Sequence, residues 1–277
     1  MTAERRGDEA TEELYENPAD YDLEVAAHAV RDLPFWTKLC RQERPRRVLE
    51  VGCGTGRLTL PLAQLGAAEG FTMVGLEPVA QMLQQATARA ADTPATTRAA
   101  LRFAQGDIRN CTFDEPFEII LMPYGAAHHL TTIADQLAAW RNAHRLLTPG
   151  GLLVVDLSAP NLAQLAEAQG HPTARAEDLV TEGAAGQRLS RTVAVSYDAA
   201  HQEALLDYRY VVCDADGTER RYESPFTMHV YYPRELVLLF TSTSFALERL
   251  LGSYEEEPFS TASSQMIALG RAEDAEG

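Results

Sequence analysis

The sequence predicts an α/β fold, a mostly parallel sheet with an antiparallel sheet inserted late in the chain. Three observations carry that reading. Apolar runs alternate with stretches of helical periodicity from Arg47 to Leu157. Three glycines spaced two apart, Gly52, Gly54 and Gly56, join the first strand to the helix after it. Beyond about residue 188 the apolar period falls from helical to two. Strands alternating with helices imply right-handed crossovers and parallel pairing, whereas a period of two marks half-buried antiparallel strands.

The elements follow in order. Residues 1 to 13 are polar and acidic with no apolar face, and are expected to fray. From Tyr21 to Cys40 the positions Leu23, Val25, Ala26 and Leu33 recur at helical spacing, with Pro34 marking a break or kink. Strands are read at Arg47 to Val51, Phe71 to Glu77, Leu101 to Gln105 and Phe117 to Met122, with helices at Leu58 to Leu65 and Ala80 to Ala90. Ile133, Leu137, Trp140 and Leu147 share one helical face. Thr148-Pro149-Gly150-Gly151 then stops that helix and turns into a fifth strand, Leu152 to Leu157.

The character changes after Pro160. Residues 166 to 187, rich in Ala, Gly, Glu and Gln, suggest a helix followed by a mobile connection. Alternation then begins in three segments, around Val193 to Tyr197, Leu206 to Val212 and Phe226 to Val230, a meander of antiparallel strands. A short helix from Pro233 to Phe240 and two last strands, near Phe245 to Leu251 and Gln265 to Leu269, complete the chain.

Composition narrows the function. A chain of 277 residues buries roughly 75% of its unfolded surface, so a large core needs no staples. The formal net charge of −16 has the wrong sign for neutralising phosphates and argues against nucleic acid. No basic-then-apolar leader opens the sequence and no apolar run approaches the roughly 20 residues that span a bilayer, so a cytoplasmic protein away from the membrane is expected. The four cysteines, Cys40, Cys53, Cys111 and Cys213, are scattered without a C-x-x-C pair, which speaks against zinc or a disulfide framework.

The chemistry begins at Val48-Leu49-Glu50-Val51-Gly52-Cys53-Gly54-Thr55-Gly56, where an apolar strand meets a carboxylate and then the glycines. Glycine permits a tight strand-to-helix turn and lets a ligand lie almost against the backbone. A dinucleotide loop wants G-x-G-x-x-G; here the third glycine comes two residues after the second. The stretch resembles motif I of the class I S-adenosylmethionine (SAM) methyltransferases. Glu77 stands 21 residues beyond Gly56 at the end of the second strand, where a carboxylate could accept both hydroxyls of a ribose or, alternatively, cap the helix after Pro78. Gln105-Gly106-Asp107-Ile108 resembles the family's adenine-contacting motif. The glycine turn, Glu77, Asp107 and Leu146-Leu147-Thr148-Pro149-Gly150-Gly151 occur in the family's order over about residues 45 to 157.

That resemblance implies a Rossmann-like, seven-stranded, mostly parallel sheet whose last strand is antiparallel, with SAM as cofactor. It implies cofactor contacts at Tyr21, Glu50, Gly52, Cys53, Gly54, Gly56, Glu77, Pro78, Asp107, Ile108 and Met122. His128 and His129 follow the fourth strand and are candidate general bases, or one of them only packs. No metal is expected, because Met122-Pro123-Tyr124 lacks the acid that metal-assisted methyltransferases carry after the fourth strand, and Asp156-Leu157-Ser158 lacks their Asp-Asn pair after the fifth. The missing Asn/Asp-Pro-Pro-aromatic sequence argues against adenine or glutamine amides as acceptors.

Residues 188 to 232, with His229-Val230-Tyr231-Tyr232-Pro233-Arg234-Glu235-Leu236, resemble the insertion of amino-sugar and glycine N-methyltransferase-like enzymes, where such strands cover the substrate site or build a homodimer contact. Tyr15, Tyr21, Tyr208, Tyr210, Tyr222, Tyr231 and Tyr232 either line a pocket for a cationic acceptor or pack as ordinary strand residues. The organisation read from the sequence is a helical lid segment at 1–44, a SAM-binding core at 45–160, an inserted substrate-covering segment at 161–232, and the end of the core sheet at 233–277. The expected activity is methyl transfer to a nitrogen or oxygen of a small molecule. The alternatives are a SAM-binding protein without catalysis and a protein or peptide methyltransferase.

Overall fold

The computed structural model describes residues 15–273, apart from the side chains of residues 27–30, so the expectation for residues 1 to 13 lies outside the described residues. The chain divides into two compact units, Ala29–Pro160 with Tyr231–Gly277, and Met1–His28 with Asn161–Val230.

The first unit is built on seven strands. These are β1 (Arg47–Val51), β2 (Thr72–Glu77), β3 (Leu101–Gln105), β4 (Phe117–Met122), β5 (Leu147–Ser158), β10 (Phe245–Leu251) and β11 (Gln265–Ala272), in the order β10-β11-β5-β4-β1-β2-β3. Strands β1 to β5 are mutually parallel, and β11 runs against both β5 and β10. Because both faces are covered, the central strands read as near-continuous apolar runs. Leu49, Ile120, Leu153 and Val155 pack on one face with Trp140 and Phe240, and Val48, Ile119, Leu121 and Val154 on the other with Trp36 and Leu62. The order reverses where β1 lies between β2 and β4, with Val48 opposite both Met73 and Ile119. Ligands bind beyond the carboxyl ends of strands at such a reversal.

The helices of this unit are α2 (Thr59–Glu69), α3 (Ala80–Ala91), α4 (Ala95–Ala99), α5 (Ile133–Leu146) and α7 (Pro233–Ser242), with a 3₁₀ turn at Ala126–His129 after β4. Their ends follow local chemistry. The Thr132 hydroxyl caps α5 by accepting the Asp135 amide at 3.1 Å, and Gly70, left-handed at φ +90°, closes α2 by donating to the Gly66 carbonyl at 2.7 Å. Helix α1 (Pro18–Glu43) begins in the second unit and ends in the first, and it is unbroken at Pro34, where the sequence suggested a break or kink. Phe35, Trp36, Leu39 and Cys40 bury the turns after the proline, and that packing outweighs one missing rung.

Two further expectations are corrected. Helix α5 ends at Leu146, but Thr148-Pro149-Gly150-Gly151 lies inside β5 as an irregularity, the register jumping from Phe117 opposite Leu147 to Ile119 opposite Leu152. Gly150, at φ +71°, absorbs the bend. The second unit carries α6 (Leu162–Ala168) and four antiparallel strands rather than three, β6 (Ala176–Glu182), β7 (Arg188–Asp198), β8 (Glu203–Cys213) and β9 (Glu219–His229), paired in that order. The stretch read as a mobile connection contains β6. An edge strand needs only one partner, and Glu177, Asp178 and Glu182 blunt it while Leu179 alone reaches the aromatic cluster.

That cluster takes in five of the seven tyrosines singled out in the sequence, Tyr15, Tyr21, Tyr208, Tyr210 and Tyr222. Tyr210 and Tyr222 stack at 4.8 Å, the Tyr210 hydroxyl donates to Glu24 at 2.9 Å, and the Tyr222 hydroxyl donates to Asp20 at 3.1 Å. Arg220 forks onto Asp20 with both bonds at 3.0 Å, and Arg191 pairs with Glu24 while lying 4.0 Å over the Tyr208 ring. Within this unit the tyrosines fasten the start of α1 to the sheet. Among the described residues no helix is long and apolar enough to cross a membrane.

Candidate functional site

The glycine turn is pinned to the strand beside it. The amides of Gly52 and Cys53 both donate to the Leu76 carbonyl of β2, at 2.8 and 3.1 Å, and the Gly56 amide returns to the Cys53 carbonyl at 2.9 Å. Gly52, Gly54 and Gly56 all have positive φ, +69°, +54° and +81°, which L side chains resist. Space reinforces the choice: a Cβ on Gly52 would stand 3.0 Å from the Ala126 Cβ, and one on Gly75 2.8 Å from the Cys53 sulfur.

Glu77 ends β2 and closes the turn. Its Oε2 accepts the Gly54 amide at 2.8 Å and its Oε1 accepts the Val79 amide at 3.0 Å, the latter on the chain just past Pro78. The carboxylate is buried, and desolvation raises its pKa although both amides pull it back. A phosphate-binding loop aims such amides at its ligand. Here the acid takes the Gly54 amide, so the turn presents a negative group with remaining lone pairs, suited to hydroxyl donors and not to phosphate. Glu50 lies deeper, 2% exposed, accepting the Thr59 hydroxyl at 2.5 Å, and burial pushes its pKa up to about 8.

Asp107, past the end of β3, accepts three bonds from Arg109, the backbone amide at 2.8 Å and the guanidinium at 2.8 and 2.6 Å, while Arg109 also reaches Asp135 at 2.9 Å. Ile108 is buried and its carbonyl takes the Asn142 side chain at 2.8 Å. Met122 is buried at the end of β4. The chain then turns through two left-handed residues, Tyr124 at φ +52° and Gly125 at φ +74°. His128 is buried, and its Nε2 accepts the Ser158 amide at 3.2 Å, which assigns the proton to Nδ1. His129 is exposed, and desolvation by the surrounding protein lowers its pKa.

The structure thus gathers Glu50, Gly52, Cys53, Gly54, Gly56, Glu77, Pro78 and Met122 at the carboxyl edge around β1, β2 and β4, with Asp107 and Ile108 beyond neighbouring β3. Tyr21 belongs to the other unit, edge-on to Tyr15 at 5.9 Å. Two pairs were missed from the sequence. Arg57, next to Gly56, forks onto buried Asp32 of α1 with both bonds at 2.7 Å and stacks over Tyr124 at 5.3 Å. Asp156 of β5 accepts the Tyr124 amide at 3.0 Å and the Tyr254 hydroxyl at 2.8 Å. The partners lie 25 and 98 residues apart, so no local pattern marks them. Among the described residues no three His, Cys, Asp or Glu side chains cluster as metal ligands.

Residues 48–151 match the family described as a methyltransferase domain. The protein YqeM of Bacillus subtilis (strain 168) is 28% identical over 147 residues, 52% of this chain and 55% of that protein, so the match spans about half of that relative. The cypemycin N-terminal methyltransferase of a Streptomyces species is 24% identical over 237 residues, 86% of this chain and 87% of that one. Among solved structures, SAM-bound CalS10, an amino pentose methyltransferase from Micromonospora echinaspora involved in calicheamicin biosynthesis, is similar with a TM-score of 0.64 at 19% identity, covering 86% of this chain and 89% of that one. At that identity the likeness is one of fold.

Proposed function

Because residues 48–151 form a domain of the class I SAM-dependent methyltransferase family, we propose that this protein transfers a methyl group from SAM to an amine nitrogen of a small molecule. The observation that carries the reading is the bond from the Gly54 amide to Glu77, which makes the turn a seat for a hydroxylated nucleoside without a phosphate. The residues fit that ligand. Glu77 would receive the ribose hydroxyls, Asp107 the exocyclic amine, Ile108 would flank the base, and the side-chain-free turn admits the rest. Bound there, SAM supplies an electrophilic methyl group on a positively charged sulfur.

The remaining work falls to the protein. Holding an acceptor against the donor in attacking geometry is worth roughly 7–11 kcal/mol in well-oriented systems. A neutral amine needs no base before it attacks, but an ammonium must first lose a proton. His129, exposed and with a lowered pKa, is the member of the pair suited to take it. His128, with Nε2 committed to the Ser158 amide, instead fixes the 3₁₀ turn against β5. A net charge of −16 favours approach of cationic acceptors. Two relatives are named an N-terminal methyltransferase and an amino pentose methyltransferase, and an N-terminus and an amino pentose each carry an amine.

Labelled-methyl transfer from SAM across amino sugars, peptide N-termini, small amines and phenols tests this reading. Transfer to amines and not to phenols is expected. Binding of SAM with no transfer to any of them would instead make the protein a sensor or assembly partner.

A further inference from the structure

The functional reading leaves Asp156 without a role, although it is 1% exposed and sits at the carboxyl end of β5, where an aliphatic residue would bury at no electrostatic cost. Its polar contacts all concern fixed geometry. Oδ2 accepts the Tyr124 amide at 3.0 Å and the Tyr254 hydroxyl at 2.8 Å, and its carbonyl accepts the Gly125 amide at 2.9 Å. The Gln265 side-chain amide, oriented with its nitrogen toward them, donates to Oδ1 at 3.1 Å and to the Leu157 carbonyl at 3.2 Å.

Tyr124 is held in the left-handed region, φ +52°, a strained conformation for a side chain with a Cβ that persists only where the surroundings over-determine it. Two residues on, Ala126 packs against the face of Gly52 that a Cβ would fill, so this turn borders the glycine turn. The turn then continues into His128 and His129. Ser158, two residues past Asp156, secures His128 in its turn. The end of β5 therefore grips the segment after β4 at three points: the Asp156 carboxylate, the Asp156 carbonyl and the Ser158 amide.

We propose that Asp156, braced by Tyr254, is a positioning residue for methyl transfer: by holding the Tyr124 amide it sets the Tyr124–His129 turn on the acceptor side of the site. It touches neither reactant and acts through Tyr124. The proposal rests on the methyltransferase reading and assigns the specificity of placement to a residue outside the cofactor motifs.

The test compares Asp156→Ala, Asp156→Asn and Tyr254→Phe with the unaltered protein, using an amine acceptor from the transfer panel. Displacement of the turn by an ångström lowers kcat/KM on the order of 100-fold in Asp156→Ala while the SAM dissociation constant stays near that of the parent. Asp156→Asn, which keeps an oxygen for the Tyr124 amide, recovers most of the loss, and Tyr254→Phe falls between. A purely structural role would move SAM affinity together with activity, and the asparagine variant would gain nothing over alanine. Amide exchange at Tyr124 and Gly125 in the SAM-free protein is read in parallel, faster in Asp156→Ala and near parental in Asp156→Asn. Parental kcat/KM in Asp156→Ala, or unchanged exchange at both amides, overturns the inference. A parent that binds SAM and methylates no amine overturns the functional reading instead, and the exchange data then still decide whether Asp156 sets the turn.

Discussion

Arg57 grips Asp32 with two parallel bonds, Nη1 to Oδ1 and Nη2 to Oδ2, both at 2.7 Å, and thereby joins α1 to the glycine turn. The carboxylate is 2% exposed and also takes the Trp36 indole at 3.3 Å. Removing one partner of a buried pair strands the other's charge, so Asp32→Ala is expected to cost about 3–5 kcal/mol. Urea unfolding measures it, and a loss below about 1 kcal/mol would show that the fork contributes no more than a surface pair.

Glu50 makes stability fall as pH rises. Its pKa stands near 8 in the folded protein against 4.5 for the free side chain, so the native state holds this proton more tightly than the unfolded chain. The stabilisation is complete below the unfolded value and is lost between that value and about 8. Asp156, pushed up to about 6, acts in the same direction over a lower window. Glu50→Gln removes the first contribution, and its Tm is expected to decline less than that of the parent from about pH 5 to 9. Parallel profiles would contradict it.

The acid proposed to face the adenine, Asp107, is partly spoken for. An ionised carboxylate offers about four lone-pair sites, and Arg109 occupies three of those on Asp107. Arg109 is partly exposed, so Arg109→Ala is expected to change stability by less than about 1 kcal/mol. Asp107→Ala, losing a charge-assisted bond to the base, weakens SAM binding about tenfold or more. Equal SAM affinity in the parent and Asp107→Ala would remove this residue from the site.

How much of this was legible in the sequence follows from the range of the interactions. Strands β1, β2 and β4 and the glycine turn announce themselves within a few residues, because a doubly covered parallel strand must be largely apolar and a positive φ selects glycine. β6 does not, since one ladder with β7 and a single anchor, Leu179, leave no periodic mark. The seating of Thr148 to Gly151 inside β5 depends on Phe117 and Ile119 across the sheet, which local turn chemistry cannot reveal. Likewise Glu77 is visible as an acid ending a strand, whereas Asp32 and Asp156 gain meaning only from Arg57, Tyr124 and Tyr254 brought beside them.

Gly75 tests the packing beneath the turn. An alanine there would place its Cβ 2.8 Å from both the Cys53 sulfur and the Phe103 ring, inside the sheet where neither can withdraw freely. Gly75→Ala is expected to cost about 1–3 kcal/mol and to weaken SAM binding with it. Unfolding and binding measured on one preparation check both, and an unchanged Tm would mean that the strand relaxes around the methyl group.

The most direct test is calorimetric titration of SAM and S-adenosylhomocysteine into the unaltered protein and into Glu77→Ala. Two charge-assisted hydrogen bonds of about 1.5–3 kcal/mol each are at stake, so the parent is expected to bind both ligands and Glu77→Ala to bind them at least about 100-fold more weakly. No binding by folded parent protein, or equal affinity in the two proteins, would contradict the account.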